Sequence, residues 1–389
     1  MVTARSMPAT WDIFCKVVDN FGDAGVCWRL ARILQREHGL QVRLWIDDLA
    51  PLHALCPDVD VDAQAQRVEN IDVRRWDAGA RIPDDGAVVI EAFGCGLSAA
   101  HAAQMAARAH PPLWIVLEYL SAETWVDEHH GLASPHPRLG LQRWFFFPGF
   151  TAKTGGLLRE ADLFTRRDAF GPAQRQAFWR NHGYAGAASS SLTLSLFAYA
   201  DAPVAEWLTV LAQGPPVVVA VPGTALLPAV QAVCGPAQHE ESKPRQGTTR
   251  QRGALEVRLL PFLPQAQYDE LLWACDFNLV RGEDSFVRAQ WAARPLVWQP
   301  YRQDDGAHQR KMEAFLGCYG AGLPPATAAV TAAFWLVWNG DGGDIAVAWK
   351  GLRAALPDLE TNARHWAGHL AAFRDLATQL VEFARDKVE

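Results

Sequence analysis

The chain reads as an α/β protein of two parallel-sheet halves. Three observations predict this. First, a buried apolar run, a turn and an amphipathic helix recur in series, the pattern of strand–helix–strand units over a parallel sheet. Second, the series stops and restarts. Residues 160–188 are polar and mixed, Gly186 to Ser190 are small, and alternating strands begin again at Ser191. Third, 389 residues are too many for one ordinary core. The expected domains are residues 1–185, joined by a C-terminal helix at about 370–389, and residues 190–368.

In the first half, Trp11 to Val18 is an apolar, β-branched run and reads as a buried strand. The chain then turns through Asp19-Asn20-Phe21-Gly22-Asp23. Val26, Leu30 and Leu34, four apart, mark one face of a helix, and Gly39 is its expected stop. Gln41–Ile46 alternates as a second strand. Asp58–Asp62 reads as a short strand with a solvated acidic face, in preference to a metal-binding Asp-x-Asp. Ala87–Ile90 is a buried strand. The Gly94-Cys95-Gly96-Leu97-Ser98-Ala99 that follows it matches the G-x-G-x-x-A dinucleotide pattern in form. Leu113–Tyr119 is a strand ending in Glu118 and Tyr119, and Trp125–His130 a loop. Arg143–Phe150 is the last strand, leading to Thr151–Gly156, which lacks the spacing of a phosphate-binding P-loop.

In the second half, Ser191–Phe197 alternates as a strand with Tyr199 just past its end. Pro216–Val221 is a buried strand, and polar residues 238–253 read as an exposed basic loop. Leu255–Leu260 is a strand and Gln265–Ala274 a helix. Phe277–Val280 is a short strand, Arg281–Gln290 a turn running into a helix, Pro295–Trp298 a strand, and Gly306 opens another helix. Asn362–Val388 reads as one amphipathic helix striped by Trp366, Leu370, Phe373 and Leu376. Two Rossmann-like halves facing a cleft, with a C-terminal helix crossing back, is the GT-B glycosyltransferase plan.

Composition narrows the function. A net charge of −7 argues against a nucleic-acid binder. Seven Cys without a CxxC indicate reduced thiols in a cytoplasmic protein. No apolar run is long enough to span a membrane. The 16 Trp belong mostly to the core, with some available to line a site.

Two turns concentrate chemistry. Asp19 and Asp23 place two carboxylates between the first strand and helix, at the edge where open α/β sheets bind ligands. Gly282-Glu283-Asp284-Ser285 presents amides and a hydroxyl at a helix start, which suits phosphate; capping by Asp284 or Ser285 explains it as well. Glu283 would repel phosphate and fits a cation or a sugar hydroxyl better. Phe262 and Gln265 suit stacking on a base and reading its edge, or simple core packing.

The chain also resembles a known family. Trp11–Cys15, Asp19–Asp23 and the ten residues Arg281–Gln290 are similar to the EarP family of protein-arginine rhamnosyltransferases. So are Glu118–Ser121, Pro148–Thr151 and Gly306–His308, in order through both halves. The resemblance implies an inverting, metal-independent GT-B enzyme without a cofactor, acting on one arginine of translation elongation factor P with dTDP-β-L-rhamnose as donor. It implies Asp23 as general base and Asp19 in an essential supporting role, on a loop completed by Asn20, Phe21 and Gly22. Glu283, Asp284 and Ser285 would lie at the pyrophosphate, with Glu283 close to the reaction centre, and Arg281 and Gly282 would also bind substrate. Phe197 and Tyr199 would contact the donor, and Phe262 and Gln265 would form the thymine pocket. Residues 298–303 depart from the family by lacking a His after Trp298 and carrying Arg302, so only Gln303 is carried over.

The chemistry agrees. A guanidinium is a poor nucleophile, because its lone pair is delocalised and it holds its proton above about pH 12. Two carboxylates grip it by charge-assisted hydrogen bonds, and one accepts the proton as the bond forms. Asp23 is the preferred base, on the expectation of a low pKa at the helix edge, though Asp19 is able to exchange roles with it. Three rival readings stand beside this one. They are a GT-B transferase with another nucleotide sugar and a small-molecule acceptor, an NAD(P) oxidoreductase using Gly94–Ala99, and a non-catalytic nucleotide-binding partner of the ribosome.

Overall fold

The computed structural model describes residues 10–77, 80–185, 191–235, 247–303 and 305–388. The chain divides into two compact units, Met1–Ala161 with Leu370–Glu389, and Asp162–His369.

The first unit runs β1 (Thr10–Cys15), α1 (Asn20–His38), β2 (Gln41–Ile46), α2 (Leu49–Leu55), β3 (Ala65–Val68), β4 (Ile71–Arg75), β5 (Val88–Ala92), α3 (Ala99–Ala106), β6 (Leu113–Leu117), α4 (Val126–His129), β7 (Ala133–Pro135) and β8 (Gln142–Phe146). The sheet order is β3-β4-β2-β1-β5-β6-β8-β7. Its six inner strands are parallel, and β3 and β7 close the edges antiparallel. Every residue of β1 is buried, as a central strand covered on both faces requires. The Asp12 side chain in β1 is neutralised by Arg43 at 2.7 Å and by the Trp45 indole N–H at 2.8 Å. From β1 the chain builds outward to β2 and β4, then returns to β5 on the other side. The topological switch point therefore lies between β1 and β5.

The second unit contains α5 (Leu163–Asp168), α6 (Pro172–Asn181), β9 (Leu192–Leu196), α7 (Val204–Ala212), β10 (Val217–Pro222), α8 (Leu227–Cys234), β11 (Thr249–Arg252), β12 (Leu255–Leu260), α9 (Gln265–Ala274), β13 (Phe277–Arg281), α10 (Asp284–Trp291), β14 (Leu296–Gln299), α11 (Ala307–Gly320), α12 (Pro325–Trp338), α13 (Ile345–Ala354) and α14 (Leu356–Ala371). Its sheet order, β11-β12-β10-β9-β13-β14, has the same logic, with the switch between β9 and β13. The last helix, α15 (Leu376–Val388), belongs to the first unit, where Phe383 packs edge-on against Trp144 and Phe146. Two Rossmann-like units with this return make a GT-B fold. Among the described residues, no helix is long and apolar enough to cross a membrane.

Several expectations need correction. Asp58–Asp62 is turn, not strand; acidic residues alternating with Val mimic a strand, but Asp60 instead caps Asp62 and meets Gln66. The polar stretch from 160 folds into α5 and α6, and Phe178 and Trp179 of α6 enter the second unit's core. The first boundary thus lies at 161–162, earlier than the expected 185. Gly186–Ser190 lie outside the described residues. Of the expected basic loop, residues 236–246 lie outside them too, while Thr249–Arg252 pair with β12. Trp125–His130 contains the short helix α4. The single C-terminal helix is two. The Arg159 guanidinium takes the carbonyls of Ala371 and Phe373, and Asp375 starts α15 by accepting from the Thr378 amide and hydroxyl. The strands β3, β4 and β7 went unanticipated; three to five residues give too short a pattern to read.

Candidate active site

The first unit's carboxylates sit at its switch point, immediately after β1. The expected loop is largely helix. α1 begins at Asn20, Asp19 is its N-cap residue, and Asp23 lies in the first turn. Asn20 has φ of 29°, a value that Asn tolerates better than most residues. Gly22 is required by space. A Cβ there would overlap the Asp19 carboxylate, so only glycine lets Asp19 keep this position. Both acids are buried, Asp19 to 7% and Asp23 to 2% exposure.

Asp23 is fixed from several sides. Its Oδ2 accepts the backbone N–H of Val18 at 2.8 Å and of Asp19 at 2.9 Å. The Tyr119 hydroxyl, just beyond β6, donates a further hydrogen bond. Burial nevertheless pushes its carboxyl above the ordinary Asp value, outweighing those three donors, and Asp47 adds to the rise. The expected low pKa is therefore corrected. The helix start favours the anion, but loss of water costs more. A buried carboxylate with a raised pKa is a better proton acceptor than an exposed one.

The second unit's switch point gathers the other expected residues. The Arg281 guanidinium, at the end of β13, lies 4.5 Å over the Phe197 ring and 4.4 Å over the Tyr199 ring. Phe197 also meets Phe262 and Tyr268 edge-on, at 6.4 and 5.7 Å. Gln265 donates to the Asp284 carboxylate at 3.2 Å, joining the expected base pocket to the first turn of α10. Gly282 has φ of 64°, which turns β13 abruptly into that helix. The N-cap residue Glu283 makes no side-chain capping bond. Ser285 does not cap α10 either; its hydroxyl donates to the Arg281 carbonyl. Of Gln303, the backbone N–H donates to His308 Nδ1 at 3.1 Å.

Half of the distinctive Arg281–Gln290 stretch serves packing. Phe286 stacks on Trp298 with centroids 4.0 Å apart. Arg288 forms a buried two-pronged pair with Asp269 at 2.8 and 2.6 Å, and Gln290 accepts the Trp366 indole N–H at 2.8 Å.

Sequence reasoning missed Tyr119 as a partner of Asp23, Asp47 beside it, and Gln299. The Gln299 side chain accepts the Tyr199 amide and donates to Asp201. Each lies at or just past the carboxyl end of a parallel strand, which was the available signal. The dinucleotide-like loop is otherwise occupied. Glu91, itself buried, accepts the Gly96 and Leu97 amides and the Trp114 indole N–H. Those amides face a carboxylate that would repel a pyrophosphate, so the oxidoreductase reading is set aside. Among the described residues, no three His, Cys, Asp or Glu side chains gather to hold a metal ion.

The chain is similar to several known proteins. A protein-arginine rhamnosyltransferase of Pseudomonas putida is 49% identical over 98% of this chain and 100% of its own length. One of Pseudomonas aeruginosa is 44% identical over 97% and 99%. A solved structure described as "Structural basis for EarP-mediated arginine glycosylation of translation elongation factor EF-P" superposes with a TM-score of 0.66. It is 36% identical and covers 97% of this chain and 99% of that one. The model of the Elongation-Factor P (EF-P) rhamnosyltransferase family EarP matches residues 11–385. Matched over nearly its whole length, the chain is an enzyme and belongs to the EarP family of protein-arginine rhamnosyltransferases.

Proposed function

We propose that this chain transfers L-rhamnose from dTDP-β-L-rhamnose to one arginine guanidinium of translation elongation factor P, with inversion at the sugar. The observation that carries the mechanism is the buried, hydrogen-bonded Asp23, whose proton affinity is raised by burial. Asp19 and Asp23 grip the guanidinium. The guanidinium nitrogen forms a bond to sugar C1 as the C1–oxygen bond breaks and the electron pair leaves with the diphosphate. Asp23 takes the proton from that nitrogen. One attack from the face opposite the diphosphate turns the β-L linkage into α. Among the relatives, the solved EarP protein is described as acting on EF-P, which supports the acceptor.

On the donor side, Phe262 and Gln265 hold the base, and Phe197 and Tyr199 hold the sugar end. Arg281, with the amides of Glu283 to Ser285, takes the developing charge of the diphosphate, the Gly282 amide being held by the Gln299 carbonyl at 3.0 Å. These cationic and N–H groups make a metal unnecessary, and the reaction uses no cofactor. Glu283, at the N-cap of α10, acts near the reacting sugar. Acting on a translation factor, the enzyme works in the cytoplasm and binds no nucleic acid itself.

The test is intact-mass measurement of elongation factor P incubated with the purified protein and dTDP-β-L-rhamnose, with and without a chelator. One added deoxyhexose on an arginine, unaffected by the chelator, is expected. An unchanged acceptor mass overturns the proposal, and activity lost to the chelator overturns its metal-free part.

A further inference from the structure

The Asp23 carboxylate is reached by a residue from the far side of the switch point. β5 and β6 are the next two strands on one side of β1, and an aromatic residue lies just past the end of each. Phe93 follows β5 and Tyr119 follows β6. Their rings stack with centroids 4.4 Å apart and planes within 15°. The Tyr119 hydroxyl donates to Asp23. Phe93 is held at φ of 57°, a left-handed conformation that a bulky residue rarely adopts. Its amide is tied to the Leu117 carbonyl at 2.6 Å, two residues before Tyr119. The strain is thus borne at the spot that sets the Phe93 ring against Tyr119.

We propose that Tyr119, braced by Phe93, is a positioning residue for the reaction, fixing the orientation in which the Asp23 carboxylate meets the acceptor nitrogen. This rests on Asp23 being the base. The two backbone N–H groups on Oδ2 leave the carboxylate free to rock about one oxygen. A third donor, from a different strand, removes that freedom. The stack explains why a tyrosine is used. A ring held flat on one face delivers its hydroxyl along a single direction, whereas Ser or Thr is too short to cross from β6.

The charged and titratable groups around Asp23 are Asp19 on its own turn, Asp47 after β2, Tyr119 after β6, and the thiols of Cys15 on β1 and Cys27 on α1. The Cys15 thiol is pushed up by its hydrogen bond with Cys27 and by burial, so it stays neutral. Tyr119 is the neutral group in this set that donates to the Asp23 carboxylate, so its removal changes Asp23 without changing charge.

The test uses Tyr119→Phe, 3-fluorotyrosine at position 119, and Phe93→Gly. The readouts are kcat, KM for both substrates, and the acid limb of the kcat profile. Tyr119→Phe is expected to lower kcat about tenfold, leave the donor KM within about twofold, and move the acid limb to higher pH, since the ionised form loses a donor. The more acidic fluorophenol donates more strongly and moves the limb to lower pH. Phe93→Gly relieves the backbone while removing the brace, so kcat falls although the melting temperature does not. Thermal melting and dTDP binding serve as controls for folding. Wild-type kcat and acid limb in both Tyr119 variants overturn the proposal. If Asp23→Asn stays active, the underlying base assignment has failed instead; if it is dead while Tyr119→Phe is normal, only the positioning role has failed.

Discussion

At the residue scale, the proposed chemistry of the first unit turns on one carboxylate pulled two ways. Burial raises the Asp23 pKa, while hydrogen bonds from Asp19, Val18 and Tyr119 resist the rise. Its folded pKa stands above the unfolded one, so its stabilising contribution is present at low pH and is lost as pH rises through the folded value. At neutral pH the ionised form therefore costs stability. Asp23→Asn is expected to lower kcat by 10²–10⁴ or so yet melt no lower than wild type at pH 7. Any stability gain should shrink as pH falls through the Asp23 pKa; melting curves across pH against the rate check this. Gly22 gives a second prediction. Gly22→Ala displaces the Asp19 carboxylate by direct overlap, so kcat should fall at least about tenfold, with a smaller effect on stability because the end of a side chain, not backbone, has to move. An Ala variant with normal kcat would show that Asp19 need not be where it stands. Asp19 and Asp23 were legible in the sequence as two acids after a first strand. The glycine's reason was not, because overlap with a side chain three residues earlier exists only once the helix has begun.

At the element scale, α10 does two jobs with its two ends. Its start presents Arg281 to Ser285 at the switch point, and its body anchors the helix to α9, β14 and α14 through Arg288, Phe286 and Gln290. The Arg288–Asp269 pair is almost fully buried, at 1% and 2% side-chain exposure. Removing Arg288 takes away the two-pronged partner of the buried Asp269 and leaves it Arg166 at 3.9 Å, so Arg288→Ala should cost up to about 3–5 kcal/mol by denaturant midpoint. The double replacement Arg288→Met with Asp269→Leu should recover much of that loss; no recovery would mean the cost is not electrostatic. Most long elements were readable, since apolar periodicity over five or more residues is a strong signal. The breaks were less so. α14 and α15 share one continuous apolar stripe, and only Arg159 and Asp375, through hydrogen bonds, separate them.

At the scale of the whole molecule, each unit carries its candidate residues at the point where its strand order reverses, β1 with β5 in one and β9 with β13 in the other. The first unit is completed only by the last helix of the chain. Leu376, Ala377, Leu380, Val381 and Ala384 of α15 are all buried. Truncation after Ala371 is therefore expected to unfold the first unit while the second keeps its fold and the dTDP binding proposed for it; limited proteolysis with dTDP titration reads both. A first unit that stays protease-resistant would show α15 to be dispensable. The sequence by itself determined the fold class, the position of the two acids after the first strand, the turn that opens Arg281–Gln290 and the family, because all of these rest on residue type at short spacing. Only the tertiary structure decided the raised proton affinity of Asp23, the Tyr119–Phe93 brace, the occupation of the Gly94–Ala99 loop by Glu91, and the division of Arg281–Gln290 between chemistry and packing. Each of these depends on burial or on contact between strands far apart in the chain, which no local pattern encodes.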